Sequence, residues 1–242
     1  MLLSLLSSGN LKDSIAILLL SLPVILIALV FHEVAHGYVA WKCGDSTAYN
    51  LGRLTLNPKS HLDPIGFLCM MVFGFGWAKP VPINTRNFRN PKRGMALSAL
   101  AGPVANLILG VLSALLYGFF WAFGSYLLYA IGPNAFWFKV VDWSSLLFLL
   151  GAYYNFFLMV FNLIPVPPFD GSRIALAFLP TNTYFRIMRY ERQIMFGILI
   201  ALLLLSRLGI SPFGWIANSL TDLIAVPISD LFWENVFLPK LL

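Results

Sequence analysis

Two histidines and a glutamate interrupt an otherwise apolar run at Phe31-His32-Glu33-Val34-Ala35-His36-Gly37. His32 and His36 are four residues apart, so on a helix they lie one above the other on the same face. That spacing lets two imidazole nitrogens reach one metal ion at about 2.0–2.1 Å. Glu33 falls about 100° round the helix from His32, close enough to contact a water on that metal without being a ligand. The pattern is H-E-x-x-H, with two histidines as zinc ligands and a glutamate as general base for peptide hydrolysis. Alone, it arises by chance in roughly one chain in a hundred. Here only three histidines occur in the chain, and two of them sit in this run. The bland alternative is a polar pair satisfied by neighbouring helices, but a buried glutamate beside two histidines then still needs a compensating charge.

A catalytic zinc keeps three protein ligands and leaves one position open, so a third ligand must come from elsewhere. Asp170 is the best candidate, in Asn162-Leu163-Ile164-Pro165-Val166-Pro167-Pro168-Phe169-Asp170-Gly171. Its three prolines remove backbone donors and stop the preceding helix, and Gly171 permits close packing just beyond. Pro-Phe-Asp-Gly is equally ordinary turn chemistry at the end of a span. The spacing fits both readings.

The elements that carry these residues must sit in lipid. Of the 242 residues, 59% are hydrophobic and only 11% charged, against roughly 25% charged in soluble domains. A helix crosses the hydrocarbon core with about 20 apolar residues. The apolar runs predict spans at about 15–41, 95–121, 143–165, 193–210 and 219–238. The run 64–76 is too short to cross and ends in Gly74-Phe75-Gly76, which suggests a re-entrant or β-hairpin element covered by protein or by a wet cavity. The expected fold class is thus all-α and polytopic, with about five transmembrane helices plus that short element. No internal repeat or polar linker breaks the chain, which predicts one membrane-embedded domain over 1–242. Met1–Leu6 is too short for a span, and 15–41 is expected to act as an uncleaved insertion signal.

With those spans, 13 of the 16 Lys and Arg residues fall on one side, leaving Lys12, Lys139 and Arg207 opposite. The positive-inside rule makes the rich side cytoplasmic. The net charge of +6 then reflects topology and contact with anionic lipid. No basic stripe with interleaved aromatics points to nucleic acid. Cys43 and Cys69 fall on or near the cytoplasmic side, where a disulfide is not expected.

The two motifs together resemble the site-2 protease family of intramembrane zinc metalloproteases, in its compact prokaryotic branch without PDZ or CBS domains. Also similar are Gly74-Phe75-Gly76-Trp77-Ala78-Lys79-Pro80-Val81-Pro82-Ile83-Asn84 and Ala101-Gly102-Pro103-Val104-Ala105-Asn106. The resemblance implies one Zn²⁺ per chain held by His32, His36 and Asp170, with Glu33 as the catalytic base. It implies substrate contacts from Asn162, Gly74, Phe75 and Gly76, the last three on a hairpin that pairs with an unwound substrate strand. Asn106 is a weaker member of that set, with helix–helix packing as its alternative. The implied substrate is a membrane protein, cleaved in a prokaryotic cell membrane from the cytoplasmic side. An oligomer is compatible with the sequence but not readable from it.

Other polar residues read more simply. His61 is expected as a loop residue at an interface, with a gating or site-supporting role as the alternative. The cluster from Arg86 to Arg93 reads as lipid-facing, and Tyr153-Tyr154-Asn155-Phe156-Phe157 as packing and interfacial anchoring. A non-enzymatic metal-binding or transport protein is the rival class, but a carrier would more often show paired halves. A second rival is an unrelated membrane H-E-x-x-H peptidase with a Glu or His third ligand.

Overall fold

The computed structural model describes residues 11–73, 78–180, 183, 186–187, 189–209 and 212–240. The described residues are helical in the main and contain no strand, only an isolated antiparallel bridge between Leu62 and Ala78. In chain order the helices are α1 (Leu11–Lys42), α2 (Thr47–Asn50), α3 (Pro64–Phe73), α4 (Pro91–Ile131), α5 (Phe136–Asn162), α6 (Asp170–Leu176), α7 (Glu191–Arg207) and α8 (Pro212–Phe232), with short 3₁₀ and π turns between or after them.

Among the described residues three helices are long and apolar enough to cross a membrane: Ile15–Lys42 within α1, then α4 and α5. The expected spans at 193–210 and 219–238 do form helices, α7 and α8, but do not join that set. At 17 residues, α7 rises only about 25 Å, short of the roughly 30 Å hydrocarbon core. In α8, Asp222, Asp230 and Pro227 dilute the apolar run. The run expected as a re-entrant or hairpin element is a ten-residue helix, α3. Gly74, Phe75 and Gly76, together with Trp77, lie outside the described residues.

The outside of the bundle is apolar and its inside is small or polar. Leu19, Ile27, Ile108, Leu112, Leu115 and Leu116 are exposed, whereas Ser21, Ser98, Asn106 and Asn155 are buried. Lipid provides no hydrophobic drive between helices, so close packing of small residues holds them together instead. Central helix α4 supplies those residues at every fourth position: Ser98, Gly102, Asn106, Gly110, Ala114, Gly118 and Ala122 are all buried. A four-residue step overshoots the 3.6-residue turn by about 40°, so the stripe winds round α4 and meets one neighbour after another. Gly102 rests on the His32 and His36 rings of α1, Gly110 on Phe156 of α5, and Gly118 on Ile228 of α8. Ala114, Ala152, Phe156 and Ala225 form the buried apolar cluster where α4, α5 and α8 meet.

Candidate metal centre

Three chain segments converge on one point. α1 presents His32 and His36 about one turn apart. α4 lies against them, because a Cβ at Gly102 would stand only 2.5–2.6 Å from atoms of both rings. The third segment is the proline-rich stretch after α5. α5 stops at Asn162, and the chain folds back so tightly that a Cβ on Gly171 would lie 2.2 Å from the Leu163 carbonyl oxygen. Phe169 packs edge-on against Phe161 at 4.5 Å between ring centroids, which holds the turn onto its own helix. Asp170 then opens α6, which packs against α4.

The result is a buried triad of ligand atoms. His32 Nε2 and His36 Nε2 are 2.9 Å apart, and Asp170 Oδ2 lies 3.1 Å from each. Among the described residues these three side chains form a group able to hold a metal ion, and all three are buried.

The protons of both rings are accounted for on their far sides. His36 Nδ1 lies 2.7 Å from the Ser98 carbonyl oxygen, and a carbonyl can only accept, so Nδ1 donates. The Ser98 hydroxyl donates back to the His36 carbonyl at 2.9 Å. His32 Nδ1 lies 2.5 Å from Asn106 Oδ1, again an acceptor. Both Nε2 atoms therefore turn lone pairs toward a carboxylate oxygen. Three acceptors this close require a shared positive charge between them. Ligand atoms on a tetrahedral zinc with bonds of about 2.0–2.1 Å stand about 3.3 Å apart, close to the separations here. Two imidazoles with one carboxylate form a set that suits zinc, and three protein ligands leave an open fourth position.

Glu33 stands outside this group. Its Oε2 accepts the Val81 backbone N–H at 2.9 Å. The strap carrying Val81 is tied down along its length: Lys79 N donates to the His61 carbonyl at 2.8 Å, Arg53 Nη2 donates to the Lys79 carbonyl at 2.9 Å, and Asn84 N donates to Asp45 Oδ2 at 2.7 Å. His61 is buried, and its Nε2 donates to the Thr55 carbonyl at 2.8 Å, which places it in the support of this strap. Asn162 ends α5 and donates from Nδ2 to the Leu158 carbonyl at 3.0 Å. Asn106, expected among the substrate contacts, is fully buried behind His32.

Several supporting residues escaped the sequence reading. Ser98 and Asn155 were hidden in helical runs, and Asp45 in a loop. The four-residue stripe of small residues on α4 was a usable signal for Ser98.

Peptidase family M50 matches residues 20–206. A Bacillus subtilis (strain 168) protein named Putative zinc metalloprotease YwhC is 39% identical over 180 residues, covering 74% of this chain and 77% of the relative. Rip2 of Mycolicibacterium smegmatis, which carries the same designation, is 30% identical over 184 residues, 74% of this chain and 64% of the relative. A third relative so designated, from Methanocaldococcus jannaschii, is 28% identical over 162 residues, 66% of this chain and 71% of the relative. No solved structure matches the chain significantly. The chain belongs to peptidase family M50, the family of site-2 zinc metalloproteases, and its His32, His36 and Asp170 form a group positioned to hold the metal that such a protease uses.

Proposed function

We propose that this integral membrane protein is an endopeptidase that cuts membrane-spanning or membrane-adjacent segments of other membrane proteins. The observation that carries the reading is the placement of His32, His36 and Asp170 as a buried, convergent group inside a bundle of lipid-crossing helices, with Glu33 one residue from a ligand. When bound, zinc supplies Lewis-acid activation of the attacking water and of the substrate carbonyl. Glu33 takes the proton from the water and returns it to the departing amide nitrogen. The Val81 N–H holds one carboxylate oxygen of Glu33, which leaves the other for proton transfer. Ser98 and Asn106 keep the two imidazoles turned inward. The chain acts as a single domain over 1–242.

A helical substrate hides its carbonyls in hydrogen bonds, so it must unwind before attack. Asn162 at the end of α5, and Gly74, Phe75 and Gly76 ahead of the strap, are assigned to receive the unwound strand, with main-chain pairing as the mode. The site faces the cytoplasmic side of a prokaryotic cell membrane. Arg53, Lys59, Lys79, Arg86 and Arg89 lie between α1 and α4, and Arg173 follows α5, whereas the α4–α5 connection has no Lys or Arg and only Lys139, in the first turn of α5, stands near it. This asymmetry supports that orientation.

The test compares membrane proteins in cells that carry wild type or Glu33→Gln. The variant should accumulate uncut substrate while its purified form keeps zinc, because losing a general base lowers rate by about 10²–10⁴-fold. Equal cleavage by both forms would remove Glu33 from the mechanism.

A further inference from the structure

Behind His32 runs a chain of two amides that crosses three helices. Asn106 of α4 meets His32 Nδ1 of α1 through its Oδ1, and its Nδ2 donates to the Ala28 carbonyl at 3.3 Å and to Asn155 Oδ1 at 2.9 Å. Asn155 of α5 donates from Nδ2 to the Gly151 carbonyl at 2.8 Å. Both amides are buried, at 0% and 4% exposure, so water does not compete for them.

The direction of this chain is not arbitrary. The Gly151 carbonyl can only accept, so the Asn155 amide must turn its nitrogen there and its oxygen toward Asn106. Asn106 then faces two acceptors, Asn155 Oδ1 and the Ala28 carbonyl, and both hydrogens of its Nδ2 are used. Its oxygen is forced toward His32, whose Nδ1 must carry the proton. The lone pair of His32 therefore falls on Nε2, facing Asp170 and His36. A flipped Asn106 would offer a donor to Nδ1, move the proton to Nε2 and close that ligand position.

The geometry points to Asn155 as a positioning residue that sets the tautomer of His32 from a neighbouring helix, without touching the metal group. The inference rests on the zinc-protease reading for its purpose but not for its test. Partners behind ligating histidines are worth about 10–100-fold in metal affinity. Asn155→Leu removes the acceptor that orients Asn106, and should lower zinc affinity by about that factor in competition with a chelator. Asn155→Asp supplies the rescue. A carboxyl group buried there is held neutral, so its carbonyl oxygen accepts from Asn106 and its hydroxyl donates to Gly151.

The decisive readout is ¹⁵N NMR of histidine-labelled, metal-free protein in detergent. Wild type and Asn155→Asp should show His32 protonated at Nδ1, and Asn155→Leu should show a mixture or the Nε2–H form. A purely structural Asn155 would lower the melting temperature of Asn155→Leu and leave the His32 tautomer unchanged, and that result overturns the inference. An Nε2–H tautomer in wild type overturns it too. Absence of proteolysis by wild type with the predicted tautomers would refute the proposed function alone.

Discussion

Among the described residues the bundle buries two carboxylates, Asp45 and Asp170, and their surroundings are opposite in kind. Asp45 is met only by donors: Thr47 N at 3.1 Å, Thr47 Oγ1 at 2.5 Å and Asn87 Nδ2 at 2.8 Å reach its Oδ1, and Asn84 N at 2.7 Å reaches Oδ2. Asp170 Oδ2 is met by two imidazole nitrogens whose protons point elsewhere. Donors satisfy a charge in place, so Asp45 is complete without an ion. Acceptors facing a charge leave it incomplete, so Asp170 marks where a cation belongs. Burial of an acid is therefore not the functional signal; the sign of what faces it is.

Removing the acid should break the comparison most sharply at Asp170. Asp170→Ala leaves two neutral ligands and a dication without its countercharge. Losing one partner of a buried charge pair costs about 3–5 kcal/mol, on the order of 10³-fold in zinc affinity. Elemental analysis and chelator competition should show near-complete loss of the metal, with circular dichroism still helical. Full zinc content in that variant would mean the centre is built from other residues.

A smaller effect should come from the wall of the centre. Gly102→Ala places a Cβ about 2.5 Å from His32 Cε1 and His36 Nε2. Crowding of this kind costs about 1–3 kcal/mol, and both rings must shift to relieve it. Zinc affinity should fall by roughly 10–100-fold, while Gly110→Ala, whose Cβ would meet Phe156 instead, should affect stability and spare the metal. If Gly102→Ala binds zinc as wild type does, α4 does not shape the ligand geometry.

How much of this was legible in the sequence depended on the range of the interaction. His32, Glu33 and His36 announce themselves because their relation is local to one helix. The spans at 15–41, 95–121 and 143–165 were legible from apolarity, although α5 begins earlier, at Phe136, since a helix continues past the lipid through Lys139 and Asp142. Asp170 was ambiguous from spacing because its meaning depends on a fold-back that only Gly171 against Leu163 makes possible. Asn106 and Asn155 were opaque for the same reason. An amide in a helix says that it has a partner, not whether that partner is a substrate or another helix. Asp45 looked like a loop residue, and its four donors come from Thr47 and from segments about forty residues away.

The contrast predicts a last and milder outcome at Asp45, in which stability moves and zinc does not. In Asp45→Asn, one position keeps an oxygen and the other gains an NH₂. If the oxygen stays toward Thr47 and Asn87, the new amide confronts the Asn84 N–H; if it flips, it confronts the other three donors. Either arrangement leaves a buried donor unsatisfied, at about 1–3 kcal/mol, or roughly 2–4 °C in melting temperature per kcal/mol for a chain of this size. The same carboxylate gives a pH signature. Burial pushes Asp45 up, but the hydrogen bonds from Thr47, Asn84 and Asn87 outweigh it and hold the group below its ordinary value. A carboxyl lowered by folding stabilises the folded state fully above its unfolded pKa of about 3.9. That contribution is lost as pH falls below about 4 toward the lower folded value. The wild-type melting temperature should therefore drop more steeply below pH 4 than that of Asp45→Asn, whose site no longer titrates, and zinc content at neutral pH should be the same in both. Equal acid slopes, or zinc loss by Asp45→Asn at neutral pH without loss of stability, would show that the two carboxylates do not divide the work in this way.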